Sequence, residues 1–246
     1  MSRPGRKKKT AASRVRPFWF AIVLLLVAAG AGGYYAATWP GFFPTAVRVS
    51  GNRVVPASEI SSRAQVDSHA NLWLQNMRAA AARVRTIPYI GQVWIHRSLP
   101  AGVTIVVSER VPSAIVQTRT DSVLADNDLR VLKDANGAGP FPVLLVPDGR
   151  VPAAGGFITD ARVRELHSDY AQLAAAHVIV ARVEFDKYGD LEAVMPGGVR
   201  LLLGDDSDLP RKSKLIAPVL SQVAANGRRV AAIDLRAPKT PVVVYR

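Results

Sequence analysis

The residues of this 246-residue chain best suited to hold a metal or move a proton near neutral pH are its four histidines, His69, His96, His167 and His177. Imidazole titrates in that range and is a common metal ligand. The four are scattered, and no two stand at the i, i+4 spacing that puts both rings on one helix face, so they predict no metal centre. His96 falls in an alternating segment, where a solvated ring is the plainer reading. The run Asp205-Asp206-Ser207-Asp208 has the carboxylate density of a calcium loop but lacks its glycine and distal glutamate. It reads more simply as an acidic lead-in to a helix starting at Pro210.

No G-x-S-x-G elbow, P-loop or Rossmann fingerprint occurs after residue 40, and there is no cysteine to serve as nucleophile or ligand. The Gly30 to Gly33 cluster lies inside an apolar run, where small residues pack helices. The expectation is therefore no catalytic residue, no metal and no cofactor. What is left is backbone chemistry. The segment DLRAPKTPVVVYR, Asp234 to Arg246, carries β-branched residues bounded by proline, with no further strand after it to pair with. Either its strand is an edge that accepts another protein's strand, or it is an interior strand, or an edge shielded by Lys239, Pro241 and Arg246.

Elements must position that segment. Arg3, Arg6, Lys7, Lys8, Lys9, Arg14 and Arg16 all precede the first acid, Glu59, so roughly half of the +13 net charge sits on a short tail. An uncharged stretch follows from Phe18 to Trp39, roughly 22 residues or about 33 Å as a helix, which matches a bilayer's hydrocarbon core. Phe18 and Trp19 at one end, and Tyr34, Tyr35 and Trp39 at the other, suit the two headgroup belts. The basic tail (1–17) is then expected in the cytoplasm and the remainder outside the cytoplasmic (inner) membrane, single-pass. The competing reading is a cleaved signal peptide with Ala29-Gly30-Ala31 at its cleavage site, although this apolar run exceeds the usual h-region of about 7–15 residues. Elsewhere arginines alternate with Asp and Glu, which excludes the interleaved basic and aromatic surface of a nucleic-acid binder.

After the connector Pro40 to Pro44, the pattern predicts a strand through Val47 and Val49, a Gly51-Asn52 turn and a helix opening at Pro56. A second helix is expected from Asn71, as N-cap, to about Arg85, and then a hairpin of Val93–Arg97 and Val103–Arg110. Strand, helix, helix, strand, strand makes a small α+β domain (40–111). Beyond Pro112 short strands are expected at 114–118, 122–125 and 130–132, the last two joined by Asp126-Asn127-Asp128. A helix over 160–175, a meander through Val178–Phe185, Leu191–Met195 and Val199–Leu203, and a helix from Pro210 closed by Asn226-Gly227 come next. Val230–Leu235 and the terminal VVVY complete a second domain (112–246), expected to be antiparallel β with flanking helices.

The basic tail, single span, VRVSGN turn, NLW helix, TIPYIGQVWIHRSLPAGVTIVVSER hairpin and ERVPSA exit together resemble the bacterial FtsQ/DivIB cell-division family, with 40–111 similar to its POTRA domain. Val199 to Gly204, Lys214-Leu215 and NGRRVAAIDLR resemble that family's second, β-rich domain. The resemblance implies a non-catalytic divisome scaffold at the division septum, which links early and late division proteins and regulates septal peptidoglycan synthesis by contact. It also implies partners, FtsB- and FtsL-like proteins that come as a coiled-coil pair, with a strand of the first added to Val242, Val243, Val244 and Tyr245 and with Arg236 placed to meet an acidic partner. Asp205 and Asp206 stand where some relatives carry a basic residue. A periplasmic transport or chaperone adaptor that binds client peptides at a POTRA edge is the alternative from another class, and a cell-wall enzyme would need a nucleophile or metal set that the chain does not offer.

Overall fold

The computed structural model describes residues 12–135, 139–225 and 228–246. Arg3, Arg6, Lys7, Lys8 and Lys9 of the basic tail and the expected helix stop at Asn226-Gly227 lie outside them. The chain divides into two compact units: one takes it up to Asn52 with Pro56–Val84 and Val93–Val107, the other takes Arg53–Val55, Arg85–Gln92 and Ser108–Arg246.

The first unit opens with helix α1 (Ala12–Thr38), whose Phe18–Thr38 stretch is long and apolar enough to cross a bilayer and contains no buried residue. A single 3-10 turn (Pro40–Phe42) follows, with the Trp39 and Phe42 rings edge to face at 5.0 Å. Then come β1 (Ala46–Ser50), α2 (Ala57–Ala64), α3 (Met77–Val84) and the greater part of β2 (Ile90–Ser98) and β3 (Gly102–Glu109). The sheet order is β1-β3-β2, with β1 parallel to β3. Strand alternation buries Val103, Ile105 and Val107 of β3, while α2 and α3 bury Ile60, Ala64, Ala80 and Val84. Gly51 has φ +86, and a Cβ there would fall on the Val107 carbonyl, so this turn admits only glycine.

The expected helix start at Asn71 is corrected. Residues 71–75 form a turn, and α3 is capped by Asn76, whose Oδ1 accepts from Ala79 N–H at 3.1 Å. Asn71 is buried, its Oδ1 accepts from Trp73 N–H at 2.9 Å, and its Nδ2 is drawn away to α1. Asn71 thus serves its own turn through Oδ1 and α1 through Nδ2.

In the second unit β4 (Pro112–Gln117), β5 (Ser122–Asp126), β6 (Val131–Asp134), β7 (Val143–Leu145), α4 (Ala161–Ala175), β8 (Arg182–Phe185), β9 (Leu191–Val194), β10 (Arg200–Gly204), α5 (Leu209–Ala225), β11 (Val230–Asp234) and β12 (Val242–Tyr245) succeed one another. The strands form one sheet in the order β12-β11-β10-β9-β8-β7-β4-β5-β6. The larger β domain with flanking helices is present, but its sheet is mixed rather than antiparallel: β4–β7, β7–β8 and β10–β11 run parallel. For the last two pairings the reason lies in the helices. α4 connects β7 to β8 and α5 connects β10 to β11, and a helical crossover returns the chain in the same direction. Apolar side chains of the central strands, among them Val116, Leu144, Val183 and Leu201, form one core with Leu166 of α4 and Ile216 of α5. Asp160 caps α4, accepting from Arg162 and Val163 N–H.

Glu109, in the SER motif, accepts from Val54 and Val55 N–H at 2.8 Å each. Burial pushes its carboxyl up, but the N–H donors of Val54, Val55 and Arg53 prevail and hold it below the usual range.

A candidate partner-binding edge

β12 is the outermost strand of the nine. It pairs antiparallel with β11 in the register Asp234↔Val242, Ile233↔Val243, Ala232↔Val244 and Val230↔Tyr245, with a bulge between Val230 and Ala232. No strand of the described residues lies on its other side. Among the described residues β12 is therefore an edge strand and not an interior one. Val242 and Val244 are 56% and 48% exposed, and Val243 and Tyr245, on the opposite face, are half-buried. Arg228 stacks over the Tyr245 ring at 3.9 Å, and Arg246 donates through Nη2 to Gly198 O at 3.2 Å. Arg246 is thus turned to its own sheet rather than across the edge.

Arg246 N–H donates to Arg229 O at 2.9 Å, so this backbone donor faces β11. Donors alternate sides along a strand, which turns the N–H groups of Val244 and Val242 inward and those of Val243 and Tyr245 toward the open edge.

Arg236 lies at the start of the β11–β12 connection, and the structure qualifies what was expected of it. Its backbone N–H and Nε each donate to Asp234 Oδ1 at 3.0 Å, and its Nη2 donates to Asp234 Oδ2 at 2.6 Å. The hydrogen bond raises the guanidinium's affinity for its proton, and Asp190 and Asp186 add to the effect from further away. Reciprocally, Arg236 holds the Asp234 carboxyl below its usual range. Arg236 is exposed, yet its charge is met locally, so it is a positioned cation and not an unpaired one.

Gly204 and Asp234 position Arg236; in the sequence Gly204 stood only inside a motif, and Asp234 read as a residue that caps or pairs locally. Gly204, at φ +74, lets the Arg236 stem cross it: a Cβ there would sit 3.0 Å from Arg236 Cγ. Asp234, Arg236, Ala237, Thr240 and Val242 line a shallow groove of about 450 Å³ at the entrance to β12. The L-G pair and the D-L-R spacing were the available signals, but only the parallel β10–β11 pairing brings them together. Asp205, where a basic residue was in question, accepts from the buried Lys212 Nζ at 3.0 Å and from Ser207 Oγ at 2.6 Å. The cation is supplied from α5 and directed inward. Among the described residues no three His, Asp or Glu side chains converge as a metal set, and His96 is exposed on β2.

Residues 44–110 match the family described as the FtsQ-type POTRA domain. Over 245 residues, 98% of this chain and 88% of the relative, the sequence is 26% identical to the cell division protein FtsQ of Streptomyces venezuelae. It is 27% identical to that of Streptomyces collinus over 89% of this chain and 85% of the relative, and 26% identical to that of Streptomyces coelicolor over 89% and 86%.

Proposed function

We propose that this chain is a member of the FtsQ/DivIB family of cell-division proteins and a non-catalytic bitopic scaffold whose β12 edge accepts a strand from an FtsB-like partner, itself paired with an FtsL-like protein. α1 anchors it in the cytoplasmic membrane, the basic tail (1–17) stays in the cytoplasm, and the POTRA domain (40–111) and β domain (112–246) stand outside, at the septum. There it links early and late division proteins and regulates septal peptidoglycan synthesis by contact.

One observation carries this reading: β12 is a sheet edge with an open side and half-exposed β-branched residues. Such an edge invites pairing by any exposed strand, so a protein that keeps one has a partner for it. Strand addition supplies backbone hydrogen bonds for affinity, while alternate side chains, here Val242 and Val244 on one face and Val243 and Tyr245 on the other, give specificity. Arg236, oriented by Asp234 and Gly204, would present its remaining donors to an acidic side chain of the added strand.

The test is binding of the full-length protein in detergent to the extracytoplasmic segment of the FtsB-like protein from the same organism, with and without Val243→Pro. Proline removes an outward donor and leaves the β11 ladder intact, so the variant should melt like the parent yet bind about tenfold more weakly or worse. Unchanged binding by the variant would move the site elsewhere. No binding by the parent would favour the adaptor reading, for which β1 and β2 are the open edges of the smaller sheet.

A further inference from the structure

In the first unit the turn at residues 71–75 and the tip of the β2–β3 hairpin lie against α1, alongside the last turns of its apolar Phe18–Thr38 stretch. Asn71 Nδ2 donates to Ala36 O at 3.1 Å and to Ala37 O at 3.2 Å, and Leu72 N–H donates to Phe42 O at 2.9 Å. Trp73 Nε1 ties the turn to the hairpin tip through Pro100 O at 3.1 Å. Arg97 braces both, donating to Trp73 O at 3.1 Å and to Gln75 O at 2.7 Å, with its guanidinium 5.8 Å from the Trp73 ring centre.

Two grooves result. One, of about 510 Å³, is walled by Gly33, Ala36 and Ala37 of α1 and by Trp73, Leu74 and Leu99. The other, of about 470 Å³, runs past Tyr34, Ala37, Phe43, Ala70 and the far side of Leu74. Leu74 and Leu99 are 73% and 76% exposed, and Trp73 is 40% exposed. Gly33 to Ala37 belong to the Phe18–Thr38 stretch, and Gly33 lies five residues, or about 7 Å along a helix, inside its end. Apolar side chains that reach this depth beside a membrane-crossing helix meet whatever surrounds the helix there.

We propose that Leu74 and Leu99 form a membrane-docking ledge: they enter the interfacial layer of the leaflet that α1 crosses last, and phospholipid chains fill the two grooves beside α1. The ledge has the make-up of an interfacial anchor, with apolar tips, a tryptophan at headgroup level and a cation, Arg97, stacked on it. Asn71 fixes the ledge's height by bonding it to the last turn of the helix. The domain is then held against the bilayer as well as tethered to it. This inference rests on the reading of α1 as a membrane span.

Because the chain contains no cysteine, single nitroxide labels can be placed at Leu74→Cys, Leu99→Cys, Val23→Cys and Tyr188→Cys in the full-length protein. The carriers are nanodiscs of phosphatidylcholine and phosphatidylglycerol holding one copy each. The ratio of oxygen to nickel-chelate collisions should shift at residues 74 and 99 away from the aqueous value at 188 toward the lipid value at 23. If 23 reads as lipid while 74 and 99 read like 188, the ledge is overturned and the span stands; this is also the result expected if the grooves take a protein instead of lipid. If 23 itself reads as aqueous, the span reading fails and the ledge with it.

Discussion

Asn71 Nδ2 lies 3.1 Å from the carbonyl oxygen of Ala36, so a side chain of the 71–75 turn caps the end of α1. The last four carbonyls of a helix have no intrahelical donor. An unsatisfied carbonyl shielded from water is costly, and Asn71 meets two of them while its Oδ1 accepts from Trp73 N–H.

Replacing Asn71 by Ala should therefore loosen the 71–75 turn from α1. The expected loss is about 1–2 kcal/mol, read as faster amide exchange at Trp73 and a lower melting temperature of the full-length protein in micelles. Asn71→Asp keeps the acceptor but points a second oxygen at two carbonyls, and should cost more. Equal protection in all three proteins would remove the capping role.

Arg110 Nη1 donates to the buried carboxylate of Asp126 and, at 3.0 Å, to Asp128 Oδ2. Asp126 Oδ1 is already occupied by the N–H groups of Asp128 and Arg130. Arg110→Ala would leave Asp126 Oδ2 buried without its cation, and roughly 3 kcal/mol of stability should be lost in denaturant melts. Arg110→Lys should lose less, because a single ammonium reaches one of the two carboxylates.

Asp169, on the buried face of α4, has its carboxyl pushed up from 3.8 to about 6 by burial first and then by Asp206 and Glu165; its Oδ2 has no partner. Between pH 4 and 6 folded Asp169 thus holds a proton that the unfolded chain has released, so its contribution to stability falls as pH rises through this window. Asp169→Asn should remove that slope and raise stability at pH 7 by up to about 3 kcal/mol, with little change at pH 4. Unfolding curves at the two pH values decide it; an unchanged slope in the variant would exclude Asp169 as its source.

Gly204→Ala should destabilise by roughly 1–2 kcal/mol, because φ +74 strains an alanine and its Cβ meets Arg236 Cγ. In an Arg236→Ala background the steric part disappears and only the backbone part remains. A double-mutant cycle on melting should therefore show coupling between the two positions; strict additivity would show that Gly204 does not position Arg236.

Local elements were legible in the sequence because their causes are local. The uncharged run specifies a membrane-length helix by composition, the Gly51-Asn52 turn by allowed φ, and the hairpin and α4 by apolar periodicity and an aspartate cap. That VVVY forms a strand followed from its β-branched residues. That β12 is an edge did not, since neighbours in a sheet are chosen by packing across the whole domain. Tertiary structure alone decided that α4 and α5 return the chain parallel, that the Asn71 amide nitrogen reaches α1, and that Gly204 of β10 underlies Arg236 next to β11. Each joins residues far apart in sequence, where a pattern read along one segment carries no information about the partner.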